Sequence, residues 1–495
     1  MHIPTSDRAA ARCPRPWIVL LGLLLVPLMC SAEALTQEVK VVVSSKAGDR
    51  LSSKPSLRFA EEQPAQKGAV FQINDAVSFQ KIDGFGASFQ EAGMISLNAL
   101  DPAEQENVFE ALFDPQHGAG FSVMKTVIGA TDFMSAGPWY TYDDTPGDVE
   151  MKHFSIARDL GPNGLVTYIK RARKYGQFVL QAPMDYPPDW MLTSVEDRKH
   201  QDVDSKYFDA LALYYLRYLQ EYEKQGIFID YLSLFNEPDI YTKIPYTKIR
   251  DLLKDHVGPL FEKAGVKTQL QMSEAPDRDD AYRHYPIVLD DPGARKYVAN
   301  LPYHGYGFKD HAKIVALHER YPGLPLWMTE VDHSYQTDTP RSIPLPKLGW
   351  EDGDFWGNQI FSDLESYASA WIYWNMILDE RGGPCLVSEV HEDRPDNRQH
   401  PVVVIDRQQK KVIYTGLYYY LAHFSKFVRP GAMRVETTGQ AEKVRCIVFK
   451  TPDGGFVAQL LNSRETPAAA DLIWHGRSLH ATLPALSITT CIWNR

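Results

Sequence analysis

Phe208-Asp209-Ala210-Leu211-Ala212-Leu213-Tyr214-Tyr215-Leu216-Arg217-Tyr218-Leu219-Gln220-Glu221-Tyr222-Glu223-Lys224-Gln225-Gly226-Ile227-Phe228-Ile229-Asp230-Tyr231-Leu232-Ser233-Leu234-Phe235-Asn236-Glu237-Pro238 carries a helical pattern straight into a strand pattern. Phe208, Leu211, Ala212, Tyr215, Leu219 and Tyr222 recur at steps of three and four, which builds one apolar stripe on a helix. Gly226 ends that helix, because the C-terminal cap favours a residue without a Cβ. Phe228–Leu234 follows at once and is apolar nearly throughout, as a parallel strand covered on both faces must be. The unit closes on the polar turn Asn236-Glu237-Pro238.

The same alternation extends in both directions. Strands are predicted at Ile82–Phe89, Phe121–Ile128, Gln177–Pro183, Phe228–Pro238, Thr268–Ala275, Pro302–Gly307, Leu324–Val331 and Ala370–Leu378. Most are separated by a segment long enough for a helix. Eight such units predict an α/β chain with a (β/α)8 TIM barrel over residues 81–410. The ends differ. Val39–Ser44 and Val70–Ile73 precede the barrel as strands. After about Met433 come Val444–Lys450, the turn Pro452-Asp453-Gly454-Gly455, Phe456–Leu461, Leu472–Trp474 and Ile488–Trp493. The expectation is an accessory all-β sandwich built from residues 35–80 and 411–495. Trp474 and Trp493 fit either a sugar-binding surface or its core.

Arg8, Arg12 and Arg15 precede an apolar run from Trp17 to Met29, and Ser31-Ala32-Glu33-Ala34 has the small residues of a cleavage site. Residues 1–34 read as a signal peptide, so the mature chain is expected outside the cytoplasm, secreted or periplasmic. The run is too short to favour a membrane span. Cys30 invites a lipid anchor, but Met29 is large where that processing needs a small residue. The formal charge is −11 with no strongly basic stretch, which argues against a nucleic-acid partner. No Cys/His spacing suggests a metal, and no cofactor is expected. Beyond the signal lie Cys385, Cys446 and Cys491. An exported chain permits a Cys446–Cys491 disulfide, with one thiol left over.

Barrel enzymes keep their chemistry where strands end and loops begin. Glu237 ends the fourth predicted strand and Glu330 the seventh, about three βα units on, so the two can face each other across the mouth. Glycoside hydrolysis needs such a pair: one carboxyl protonated to hand a proton to the leaving oxygen, the other ionised to attack the anomeric carbon or activate water. Asn236, just before Glu237, is placed to hydrogen-bond a sugar 2-hydroxyl. A lone Asn-Glu-Pro is equally a strand-ending turn. The second strand-end carboxylate is what favours chemistry.

Several blocks then show a resemblance. Lys81-Ile82-Asp83-Gly84-Phe85-Gly86-Ala87-Ser88-Phe89-Gln90-Glu91-Ala92, Thr131-Asp132-Phe133 with Tyr140-Thr141-Tyr142-Asp143-Asp144, Trp371-Ile372-Tyr373-Trp374-Asn375 with Gly382-Gly383-Pro384, and His423-Phe424-Ser425-Lys426-Phe427 resemble glycoside hydrolase family 30, the group that includes glucosylceramidases. The resemblance implies retention of configuration, with Glu237 as acid/base and Glu330 as nucleophile. It also implies sugar contacts from Asp132, Asn236, Tyr306 and Trp374, with His304 near the nucleophile. Asp132 suits two sugar hydroxyls, Tyr306 can donate to Glu330, and Trp374 offers an apolar face. Each has a plainer reading as well: Asp132 as a helix cap, His304 and Tyr306 as satisfied core groups, Trp374 as barrel core. Trp139, Tyr140 and Tyr142 either shape the mouth or pack a loop.

The chain also departs from the family pattern. Lys125 stands where an Arg is usual, which loses a bidentate fork. The loop Ala182-Pro183-Met184-Asp185-Tyr186-Pro187-Pro188-Asp189-Trp190 has Met184 in place of a Trp and is one residue longer, and Cys385 stands for an Asn. Asp185 and Asp189 are new sugar contacts or loop punctuation. The leading expectation is a metal-free retaining β-glycosidase acting on a β-linked glycan or glycolipid, most like a glucosylceramidase. Endo-β-1,6-glucanase follows, then β-xylosidase or β-fucosidase. An inactive carbohydrate-binding protein and a structural surface protein are the rivals from other classes.

Overall fold

The computed structural model describes residues 37–61, 68–135, 140–194, 202–240, 242–333, 349–384, 398–439 and 441–494. The expected signal peptide, Trp139 and Cys385 lie outside the described residues.

Within Phe208–Pro238 the helix forms as predicted, while the strand is shorter than Phe228–Leu234: it runs Tyr231–Ser233, and Phe228 ahead of it is exposed. Phe208–Lys224 is an α-helix, and all six residues of its stripe are buried. Gly226 adopts a φ of +75°, a conformation open to a residue without a Cβ. The barrel strands are Gly84–Ser88 (β1), Val123–Lys125 (β2), Val179–Pro183 (β3), Tyr231–Ser233 (β4), Gln269–Gln271 (β5), Leu301–His304 (β6), Leu326–Glu330 (β7) and Ala368–Asn375 (β8). They form one eight-stranded sheet in the order 6-7-8-1-2-3-4-5, every neighbouring pair parallel. Closure comes from two parallel bridges, Leu270 to Val298 and Ala275 to Tyr303. Between β1 and β2 the backbones approach so closely that a Cβ on Gly86 would overlap the Val123 carbonyl oxygen. The glycines of the Gly84-Phe85-Gly86 block therefore serve packing.

Strands from both termini share one ten-stranded sheet. Glu38–Ser45 pairs with Ser487–Trp493, and Ala69–Lys81 lies between Met433–Thr438 and Ala468–Trp474. Trp474 and Trp493 belong to its core: they are 6% and 1% exposed and pack on Phe59 and Phe456. Cys446 and Cys491 are buried free thiols. Their strands flank Phe456–Asn462 on opposite sides, two strand spacings or roughly 9.5 Å apart, beyond the reach of a disulfide.

Helix Gly416–Phe427 joins barrel to sheet. His423 Nδ1 lies 2.6 Å from Thr490 Oγ1 and Nε2 lies 3.0 Å from Ser44 Oγ, so one side chain ties the helix to strands from both termini. Burial lowers its pKa to about 3, which keeps the ring neutral, with one nitrogen donating and the other accepting. A three-stranded sheet, Ile377–Asp379, Val403–Asp406 and Lys411–Tyr414, follows β8 and was not expected.

Candidate active site

The C-terminal ends of the strands gather a buried polar cluster. Glu330 ends β7 and is 4% exposed; Glu237 lies just past β4 and is 6% exposed. The chain beyond β4 keeps its ladder: Glu237 N donates to the Glu274 carbonyl at 2.9 Å, and Glu274 N to the Phe235 carbonyl at 2.8 Å. Glu237 takes a φ of +45°, a left-handed conformation that costs a residue bearing a Cβ. Such strain collects where a side chain must be aimed.

Each Glu330 oxygen faces a donor: Lys125 Nζ at 2.7 Å from Oε2 and Tyr306 Oη at 3.0 Å from Oε1. Lys125 is fully buried and also donates to Glu274 Oε2 at 3.0 Å and Asn236 Oδ1 at 3.1 Å. An ammonium has three hydrogens, and here each has an acceptor. The fork lost with arginine is thus replaced by a three-way point charge. Burial alone would lower the lysine pKa, but Glu274 and Glu330 raise it above its ordinary value. Lysine offers only donors, so the carbonyl end of the Asn236 amide faces Nζ and its NH2 end points away.

His304 Nδ1 lies 2.6 Å from Glu237 Oε1, Nε2 lies 3.2 Å from Glu274 Oε2, and Nδ1 is 3.7 Å from Glu330 Oε1. Its main partner is therefore Glu237, and it also lies near Glu330, as the resemblance implied. Burial opposes its charge, yet Glu330, Glu237 and Glu274 raise its pKa to about 10. It is an imidazolium that donates from both nitrogens. For Glu237, burial raises the pKa, His304 pulls it down, and Glu330 pushes it up again; the net direction is upward.

One atom each of Glu237, His304 and Glu330 lies within 4.8 Å of the others, a spacing that a metal ion also uses. An imidazolium has no lone pair to give, so this donor set suits a hydrogen-bonded chain better than an ion.

Tyr306 also meets Asp332 Oδ1 at 3.3 Å. Burial, then Glu330 and Asp132, push Asp332 well above the ordinary carboxylate range. The one hydrogen of the Tyr306 hydroxyl is shared between Glu330 Oε1 and Asp332 Oδ1, with Glu330 the nearer acceptor. Trp374 is 2% exposed, with Lys125 Nζ 5.1 Å from its ring centroid. Half-buried Asp132, on the loop after β2, acts electrostatically on Asp185, Asp332 and Tyr306. The structure thus brings together every site residue read from the sequence. Tyr140 and Tyr142 instead hydrogen-bond Asp159 and pack their loop.

Sequence reasoning missed Glu274, Gln181, Asp332 and Asn375. Glu274 is fully buried and accepts from Lys125, Gln181 at 2.6 Å, Thr329 at 2.7 Å and His304. Burial would raise its pKa, but Lys125 and His304 bring it down to about 2. Its signal was present, since Glu274 stands at the end of a predicted strand just as Glu237 and Glu330 do. Asn375 donates to Asp332 at 3.0 Å and so fixes the Tyr306 neighbour.

Residues 82–428 match the glycosyl hydrolase family 30 TIM-barrel domain, and residues 431–491 match the glycosyl hydrolase family 30 beta sandwich domain. The lysosomal acid glucosylceramidase of Mus musculus is 26% identical over 456 residues, 86% of this chain and 84% of that protein. The endo-1,6-beta-D-glucanase of Neurospora crassa is 28% identical over 383 residues, 74% of this chain and 75% of that protein. An endo-beta1,6-glucanase of solved structure, 22% identical, superposes with a TM-score of 0.78 over 92% of this chain and 99% of its own, which shows a common fold. The two family matches run nearly end to end over barrel and terminal sheet, and the chain belongs to glycosyl hydrolase family 30, a family of retaining glycosidases.

Proposed function

We propose that the chain is a glucosylceramidase-like retaining β-glucosidase, with Glu330 as nucleophile and Glu237 as acid and then base. One observation carries the retaining reading: an oxygen of Glu237 and an oxygen of Glu330 lie within 4.8 Å of each other. Retaining enzymes hold the pair about 5–5.5 Å apart, whereas inverting ones leave about 6.5–9.5 Å for a water. In the first step a Glu330 oxygen bonds to the anomeric carbon as the glycosidic C–O bond breaks. The Glu237 proton goes to the leaving oxygen. Lys125 and Tyr306 aim the nucleophile, and the Asn236 amide holds the 2-hydroxyl.

The electrostatics turn over with the chemistry. Before attack the Glu330 charge favours a protonated Glu237. Once Glu330 is esterified that push is gone, while the His304 cation remains and favours the carboxylate. Glu237 then takes a proton from water, whose oxygen displaces Glu330 and frees the sugar with its configuration retained.

The glucosylceramidase relative, matched over 86% of this chain, supports the glucosylceramidase-like reading, and the fungal relative supports endo-β-1,6-glucanase as the second. Export belongs to the same proposal: a mature N-terminus at Leu35 is expected by mass spectrometry. No helix among the described residues is long and apolar enough to cross a membrane. The test is a product profile. The mature protein is incubated separately with glucosylceramide and with β-1,6-glucan, with Glu330→Gln as blank. Free glucose from the lipid supports the proposal. Oligosaccharides from the glucan alone move the assignment to the endo-glucanase, and binding without turnover on either sinks the catalytic reading.

A further inference from the structure

Asp185 stands two residues past β3, 1% exposed, and neither of its carboxyl oxygens has a hydrogen-bond partner. The residue is held in place through its backbone. The Met184 carbonyl accepts from Asn236 N at 2.7 Å and the Asp185 carbonyl from Thr242 Oγ1 at 3.4 Å. The charges acting most on its carboxyl are those of Asp132, Lys125, Glu330 and Glu237, all groups of the mouth. Loop punctuation, the other reading of this aspartate, would have its oxygens accepting backbone N–H groups. They accept none. A buried polar group without a partner destabilises the empty protein, so these two oxygens are free to pair with a group that enters the site.

The barrel's circular order indicates which part of the ligand that is. Asp132, Asp185 and Asn236 follow β2, β3 and β4, three successive strands. With the 2-hydroxyl at Asn236, the ring's next hydroxyls run past β3 and then β2. We propose that Asp185 is a specificity-determining residue that pairs with the 3-hydroxyl of the sugar in the innermost subsite, beside Asp132 at the 4-hydroxyl. This rests on the glycosidase reading above. Met184, the residue read against the family's tryptophan, is itself fully buried. Burial first, and Asp132 next, push the Asp185 carboxyl well above the ordinary range, which favours a neutral acid that both donates and accepts. With Asp185, Glu237 and Asp332 as neutral acids, the carboxylates of Asp132, Glu274 and Glu330 still outnumber Lys125 and His304, so an uncharged pyranose fits and a uronate is repelled.

The test uses 4-nitrophenyl β-D-glucopyranoside with its 3-deoxy and 4-deoxy analogues, on wild type, Asp185→Ala and Asp185→Asn. Wild type should lose on the order of 10- to 100-fold in kcat/KM on either deoxy analogue. In Asp185→Ala the 3-deoxy penalty should shrink to within about twofold while the 4-deoxy penalty persists. Asp185→Asn, which keeps a donor and an acceptor, should retain part of the 3-hydroxyl preference. Equal losses on all three glycosides in Asp185→Ala would overturn the proposal. Turnover of the parent glucoside that survives in Glu330→Gln counts against the catalytic reading instead. If wild type cleaves none of the three, calorimetric titration with glucose and 3-deoxyglucose decides. Binding that depends on the 3-hydroxyl only while Asp185 is present upholds the assignment, and any other pattern overturns it. Thermal unfolding of Asp185→Ala no lower than wild type shows that the variant folds.

Discussion

The interior of the terminal sheet and the mouth of the barrel are both buried, and they are held by different forces. In the sheet, Phe59, Phe456, Trp474 and Trp493 meet ring to ring at centroid distances of 5.1–5.8 Å, and even the two indole N–H groups lack an acceptor. Apolar area and packing hold that region together. In the mouth, Lys125, Glu237, Glu274, His304 and Glu330 form one connected set of charged hydrogen bonds. There each group depends on its neighbours, because a low dielectric strengthens every pair and penalises every orphan. The sheet is organised for stability. The mouth gives some up, in the left-handed backbone of Glu237 and the unpartnered carboxyl of Asp185.

The largest effect that would break or sharpen this contrast is on turnover. Glu330→Gln should lower kcat by roughly 10⁴-fold or more while leaving the melting temperature nearly unchanged. Full activity, with wild-type contamination excluded, would remove Glu330 as nucleophile. Next is Lys125→Met. It strands the Glu274 and Glu330 carboxylates, so chemical denaturation should show a loss of about 3–5 kcal/mol together with a collapse of kcat/KM. Phe456→Ala should cost a similar ~3–5 kcal/mol through a cavity in the sheet, yet keep kcat/KM within about twofold wherever the protein is folded. A matching loss of activity in that variant would mean the two regions are coupled.

The smallest effects are in pH. The His304 cation favours the ionised form of Glu237, so His304→Gln should move the basic limb of the kcat/KM profile to higher pH. A limb that stays in place would show that another group titrates there. His304 has a folded pKa of about 10 against an ordinary 6.5, so its stabilising contribution is complete below pH 6.5 and is lost as pH rises through 10. Wild-type melting temperature should fall across that window, and His304→Gln should fall less.

Much of this was legible along the chain. All eight barrel strands were placed by apolar runs between helical stripes, and the Phe208–Lys224 helix matched its stripe residue for residue. The two terminal sets of strands were expected to join, and they do. Glu237 and Glu330 were singled out because barrel chemistry sits at strand ends. The same rule applied to Ser273-Glu274-Ala275 would have found Glu274. The rule does not say which strand-end carboxylate holds a neighbour and which does chemistry.

By itself the sequence determined the barrel, the terminal strands, and Glu237 and Glu330 as facing carboxylates, because strand and helix periodicities are local and recorded in every few residues. Only the tertiary structure decided that His304 serves Glu237 first, that Lys125 meets three acceptors, that Trp474 and Trp493 are core, and that Asp185 is left without a partner. Those outcomes depend on distances between residues far apart in the chain. They also depend on a dielectric set by everything packed around them, and neither leaves a local trace.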